Sequence, residues 1–165
     1  RISNPAIHSC KDLPNANEMT WYAAKGDPRW DADELWTTMG HLYKGGMWFK
    51  KKSVLLAEHH YDTEKSADGS TDMRTTYKGY SNSNSSINNS GLPSAADANK
   101  YFYLPALGYY GYGYLYRVGD GGYFWSSHAY PGWVPYNACM LRFLSGNVLV
   151  DHAPCEVGYR VDGFE

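Results

Sequence analysis

Three stretches carry side chains with atoms suited to chemistry. His59, His60 and Asp62 offer two imidazoles and a carboxylate, the donor set of a transition-metal site. Adjacent side chains on an extended chain point to opposite faces, and no third ligand follows at a diagnostic spacing, so this cluster reads as the solvated end of a loop. The run "DTEKSADGSTD", residues 62–72, is rich in oxygen ligands but lacks the calcium-loop spacing that closes on a bidentate glutamate. "GYYGYGYLYRVGDGG", residues 108–122, contains Gly-x-Gly, but no lysine follows and no helix opens after it, so phosphate binding is poorly supported. Neither a Gly-x-Ser-x-Gly elbow nor His-Glu-x-x-His occurs. No catalytic residue, no metal ligand and no cofactor is therefore expected.

What remains is an aromatic segment. The chain has 16 Tyr and 6 Trp beside 5 Phe, and ten of the tyrosines fall between Tyr101 and Tyr136. Cores favour Leu, Ile, Val and Phe, which bring no hydroxyl to satisfy. Tyrosine interleaved with glycine and small polar residues is the composition of recognition loops. In "SSHAYPGWVPYNACMLRF", residues 126–143, Tyr130, Trp133 and Tyr136 stand among Pro131, Gly132 and Pro135. Large rings on a proline-restrained loop are expected to be held out for a partner. Trp125, inside "YFWSS", is the ring expected to be buried.

The totals bound the alternatives. The 165 residues are 43% hydrophobic and 19% charged, a globular composition long enough for one domain with a core. The net charge of -2, with no basic run beyond Lys50-Lys51-Lys52, gives no reason to expect nucleic acid. No apolar stretch has the roughly 20 residues of a membrane-spanning helix. Three cysteines, Cys10, Cys139 and Cys155, cannot complete a disulfide framework. One bridge, with Cys139–Cys155 the first candidate, and three free thiols both stay open.

The elements that must position these residues follow from pattern. Residues 14–26 read as a helix, with Asn15 and Glu18 at capping-box spacing and Gly26 as the stop. Residues 31–43 read as a second helix, capped by Asp31, with Leu35, Trp36, Met39, Leu42 and Tyr43 at helical spacing. A strand is expected over 47–56, and a Ser/Asn-rich surface excursion over 57–100. From Tyr101 the chain reads as short strands, with a hairpin turn at Ser145-Gly146 and a closing strand in "YRVDGFE". Alternation places Leu141, Phe143, Val148 and Val150 on one face, and Met140, Arg142, Leu144, Asn147, Leu149 and Asp151 on the other. The class is α+β, in a single domain over residues 1–165.

"GGYFWSS", "NACMLRF", "SGNVLVD" and the terminal "GYRVDGFE" resemble the C-terminal C-type lectin-like domains of gut bacterial surface proteins. More narrowly, they resemble the variable proteins of diversity-generating retroelements. "NPAIHSC", "LPNANEMTWYAAKGDPRWD", "LWTTMGHLYKGGMWFKKK" and "RTTYKGY" fit the stretches that precede such a tail. The resemblance implies a C-type lectin-like fold of the formylglycine-generating-enzyme branch, with two helices packed on a twisted antiparallel sheet and long loop excursions. It also implies a gene whose 3′ end is rewritten by a reverse transcriptase, so that a region over residues 108–160 varies and binds ligand.

Carried over, Leu115, Val118, Gly122, Trp125, Ser126, Ser127, Leu141, Phe143, Ser145, Gly146, Val148, Val150 and Gly163 are scaffold. Tyr110, Tyr112, Tyr114, Asp120, Tyr123, His128, Tyr130, Trp133, Tyr136, Met140, Arg142, Leu144, Asn147, Leu149, Asp151, His152 and Glu156 are ligand-facing. The chain departs from calcium-dependent sugar-binding lectins in lacking Glu-Pro-Asn, Gln-Pro-Asp and Trp-Asn-Asp, and no active-site cysteine pair of the formylglycine-generating enzymes is evident. Expected partners are a protein or glycan ligand, with display at a cell surface or phage particle and an anchor or pilus domain ahead of Arg1. A fixed carbohydrate-binding adhesin is the alternative, and an oxidase or transferase of the same fold the third reading.

Overall fold

The computed structural model describes residues 8–89, 91–161 and 164–165. The architecture is α+β, with a few short helices set against mostly antiparallel strands. Helix α1 spans Ala16–Lys25 and carries both halves of its capping box. The Glu18 amide donates to the Asn15 side chain at 3.0 Å, and the Asn15 amide donates to Glu18 at 3.0 Å. Two orphan N–H groups are thereby satisfied at the helix entry. Its inward face buries Ala16, Met19, Tyr22 and Ala23, together with Asn17 and Thr20.

The expected second helix is a β-hairpin. Strand β1, Arg29–Thr38, pairs antiparallel with β2, His41–Lys50. Met39 and Gly40 hold φ of 48° and 76°, so they form a two-residue turn of the mirror-image type that matches strand twist. The helical spacing of apolar residues was coincidental: Leu35, Met39 and Leu42 are exposed, and Trp36 stacks across the hairpin on Tyr43 at 5.1 Å. Asp31 does make cap-like bonds, accepting from the amides of Asp33 and Glu34. They stabilise an irregularity in β1 between Asp31 and Leu35 instead of a helix start. The strand expected over 47–56 also stops early. It ends at Lys50, and helix α2, Lys52–Ala57, follows.

The segment 57–100 is not wholly an excursion. Met73 and Ile87 enter the core, and β3, Tyr80–Ser83, forms an edge of the main sheet. Buried Asn17 ties this loop to α1, donating to the Thr63 carbonyl and to Asp72 while accepting from the Met73 amide at 2.7 Å. Helix α3, Ser85–Asn89, comes next. Strand β4, Tyr101–Pro105, completes a three-stranded sheet in the order β1-β2-β4.

Strands β7, Gly121–Ala129, β8, Asn137–Leu144, and β9, Asn147–Pro154, build the second sheet, ordered β3-β9-β8-β7. The turn at Ser145-Gly146 falls where expected, with Leu144 opposite Asn147. The expected inner face is the observed one, since Leu141, Phe143, Val148 and Val150 are all buried. The short hairpin of β5, Tyr109–Gly111, and β6, Tyr114–Tyr116, stands beside β7. In place of a full closing strand, the C-terminal segment wedges between β5 and β7, with bridges Tyr110–Gly158 and Phe124–Arg160. Gly163, expected as scaffold, lies outside the described residues. Among the described residues no helix is long and apolar enough to cross a membrane.

Phe143 joins the two sheets. Its ring stacks on Phe124 and meets Phe49 and Trp30 edge-on at 6.1 and 6.4 Å. It also lies over Gly122, where a Cβ would come within 2.3 Å of the ring. Phe143→Ala is expected to cost about 3–5 kcal/mol by the usual penalty for a vacated aromatic site. Gly122→Ala is expected to cost about 1–3 kcal/mol through overpacking. Urea unfolding of both variants measures these.

Candidate ligand-binding surface

The outer face of β7-β8-β9 is partly covered by the chain itself. A second, smaller core of Trp125, Met140 and Ala153 lies there, packed against Cys10, Leu13, Tyr159 and Val161 from the two ends of the chain. Two expected ligand-facing residues are consequently interior: Tyr123 is 5% exposed and Met140 is 3% exposed. Alternation assigned the face of Met140 correctly, and the resemblance alone pointed to Tyr123, but neither carries information about what folds back over that face. Arg142, Leu144, Asn147, Leu149 and Asp151 are half-buried on the same surface. Trp125, the ring expected inside, is buried.

A ladder of rings runs across this face. Tyr116 stacks on Tyr109 at 5.2 Å, Tyr109 meets Tyr123 at 4.8 Å, Tyr123 meets Tyr159 at 5.3 Å, and Tyr159 lies 4.4 Å from Trp125. Burial raises the hydroxyl of Tyr123 and pushes that of Tyr159 up to about 12, so both rungs stay neutral. At one end the ladder supports the β5-β6 hairpin, which presents Tyr110, Tyr112 and Tyr114 to solvent. Tyr112 and Gly113 form its turn with φ of 51° and 84°. At the other end Trp125 and Tyr159 wall a groove of about 900 Å³, with Ser126, Ser127, His128 and Asn137 on its polar side. Of these groove residues the sequence reading named only His128 as ligand-facing. A groove assembled from both chain ends leaves no local pattern to find.

The β7-β8 loop is fixed at its base and bare at its tip. The Tyr130 amide donates to the Asn137 carbonyl at 3.0 Å, and the Cys155 amide donates to the Tyr136 carbonyl at 2.8 Å. Tyr130 stacks on His152 at 4.0 Å and meets Tyr77 edge-on, while the Tyr77 hydroxyl donates to Asp151 at 2.8 Å. Tyr130, His152 and Asp151 thus spend their contacts inside the chain, anchoring the loop. Trp133 and Tyr136 do not: they are 92% and 86% exposed. Asp120 and Glu156 are also exposed.

Like Met39 in the β1-β2 hairpin, Tyr112 and Tyr136 sit at turns. Both hold a left-handed backbone, with φ of 51° and 66°, and Tyr112 is 94% exposed. This conformation costs a non-glycine residue roughly 1–2 kcal/mol, and a solvent-exposed ring returns little of it within the fold.

The other candidate chemistries are absorbed by structure. Asp68 accepts from the Ser70 and Thr71 amides, the Thr71 hydroxyl and Lys78, and the hydrogen bond from Lys78 contributes most to holding its carboxyl well below the usual range. Asp72 and Glu64 both accept from Arg74. Among the described residues no group of three or more His, Cys, Asp and Glu is placed to hold a metal ion. Cys139 and Cys155 are not neighbours in kind: Cys139 is buried in the main core opposite His152, and Cys155 is exposed.

Tyr112→Gly is expected to leave stability unchanged or raise it by up to about 1 kcal/mol, because glycine occupies the left-handed region freely. Trp133→Ala is expected to change stability by less than about 0.5 kcal/mol, as for other surface substitutions. Tyr123→Ala, by contrast, should cost about 3–5 kcal/mol, as for a buried aromatic. Thermal and urea unfolding of the three variants separates displayed rings from interior ones. Comparison with family models, with curated proteins and with solved structures gives no match to this chain.

Proposed function

We propose that this chain is a ligand-binding module. In this reading it is a variable protein of a diversity-generating retroelement, with a C-type lectin-like scaffold displayed at a cell surface or on a phage particle. The observation that carries the binding role is the solvent-facing display of Tyr112 and Tyr136 at left-handed turn positions, together with exposed Trp133. Rings held out at a backbone cost are explained by a partner that buries them.

The mechanism is surface complementarity. Trp133, Tyr136 and the hairpin tyrosines supply area with few torsions to freeze, so burial converts to affinity with a small ordering cost. Arg142, Asp120 and Glu156 supply polar discrimination at the rim. The half-buried Leu144, Asn147 and Leu149 lie on the same outer face, toward the β8-β9 turn. The backbone bonds of the β5-β6 hairpin are main-chain to main-chain. The exposed side chains of Tyr110, Tyr112 and Tyr114 can be exchanged without altering those backbone bonds, which suits a diversified site.

The deciding experiment is deep sequencing of the gene's 3′ end across a host population. Substitutions should concentrate at codons for exposed positions such as Tyr112, Trp133 and Tyr136, and spare those for Phe143, Leu141 and Gly122. A uniform sequence would count against diversification and favour the fixed adhesin. A glycan and protein array then identifies ligand. Trp133→Ala should weaken binding there by about 10-fold or more, the range of a central aromatic anchor, with melting unchanged.

A further inference from the structure

No disulfide links the three cysteines, Cys10, Cys139 and Cys155. They occupy two different environments. Cys139 lies in the main core with no exposed surface, and burial pushes its thiol up to about 12. Cys10 and Cys155 line the same groove beside Trp125 and Tyr159. Cys10 packs on the small core that contains Ala153, and Cys155 follows Ala153 by two positions in the chain. The Cys155 backbone is pinned to the Tyr136 carbonyl, and the Cys10 carbonyl accepts from the Leu13 amide at 3.1 Å. Burial raises the Cys10 thiol, and the charge of a Cys155 thiolate raises it further.

We propose that Cys10 and Cys155 are a disulfide pair that closes across this groove, formed by exchange with a low-molecular-weight disulfide such as oxidised glutathione. The thiolate of one cysteine attacks a sulfur of the small disulfide, forming a mixed disulfide and releasing one small thiolate. The second cysteine's thiolate then attacks the protein sulfur of that adduct and displaces the other small thiolate. Two protein thiols lose two electrons, the small disulfide gains them, and the two protons pass to the released thiolates. The product ties the segment before α1 to the end of β9. Those are the two pieces of chain that form the groove wall, so oxidation would fix its width. The bridge would close a loop between positions 10 and 155, and such long closures constrain the unfolded chain most.

The test is peptide mapping of the whole chain after equilibration in a reduced/oxidised glutathione buffer, with alkylation before unfolding. The expected result is a Cys10–Cys155 linked peptide and an intact mass lower by about 2 Da than the fully reduced chain, the two hydrogens lost to the bridge. Cys139 should be alkylated only after unfolding. Cys139→Ser should retain the link, and Cys10→Ser or Cys155→Ser should abolish it. The oxidised chain should melt roughly 5–10 °C above the reduced one. Separate glutathione adducts on Cys10 and Cys155 without a linked peptide would overturn the proposal, as would a link that includes Cys139. A linked form that melts below the reduced chain would also overturn it, since the bridge would then form only by distorting the fold.

Discussion

The packing of Phe143 on Gly122 is the contact on which the rest of the structure depends. One ring fills the junction between the β1-β2-β4 sheet and the β3-β9-β8-β7 sheet, touching Phe49 and Trp30 on one side and Phe124 on the other. The absence of a side chain at Gly122 lets that ring lie against the β7 backbone. With β8 seated this way, the inner and outer faces of β7, β8 and β9 are fixed by alternation. The outer face then acquires its own small core, and the loops at the strand ends emerge where the aromatics are. Display is thus a consequence of how the sheets meet.

The same arrangement divides the tyrosines into two populations. Tyr109, Tyr123 and Tyr159 are mortar, since their rings contact one another and two of their hydroxyls are shifted by burial. Tyr112, Tyr114 and Tyr136 are exposed and contribute little to packing. Composition alone cannot separate these roles, since Tyr109 and Tyr112 lie in the same Gly-punctuated stretch. The separation comes from the C-terminal segment, which wedges in at Gly158 and Arg160 and covers one set of rings while leaving the other bare.

The legible parts of the sequence were those governed by local rules. Asn15 and Glu18 announce α1 because a capping box is a contact between residues three apart. The β8-β9 hairpin is announced by strict alternation on both sides of Ser145-Gly146. The β1-β2 hairpin was missed because Leu35, Met39 and Leu42 mimic a helical stripe, while the true signals were the Met39-Gly40 turn and the β-favouring Trp36, Thr37 and Thr38. The burial of Tyr123 and Met140 was not legible at all. Met140 is covered by a cluster that Cys10, Leu13 and Tyr159 join from distant parts of the chain, and Tyr123 packs on Tyr109 and Tyr159. For the site, single exposed positions such as Trp133 were readable from proline and glycine around them, whereas the groove needed the fold.

The ring ladder has an optical consequence. Tyrosine emission overlaps tryptophan absorption, and the rings from Tyr116 to Trp125 stand in successive contact. Light absorbed by the β5-β6 hairpin can therefore pass inward and leave as tryptophan fluorescence from Trp125. The groove and the hairpin lie at opposite ends of one excitation path, which gives the molecule an internal, label-free reporter of what happens at either end.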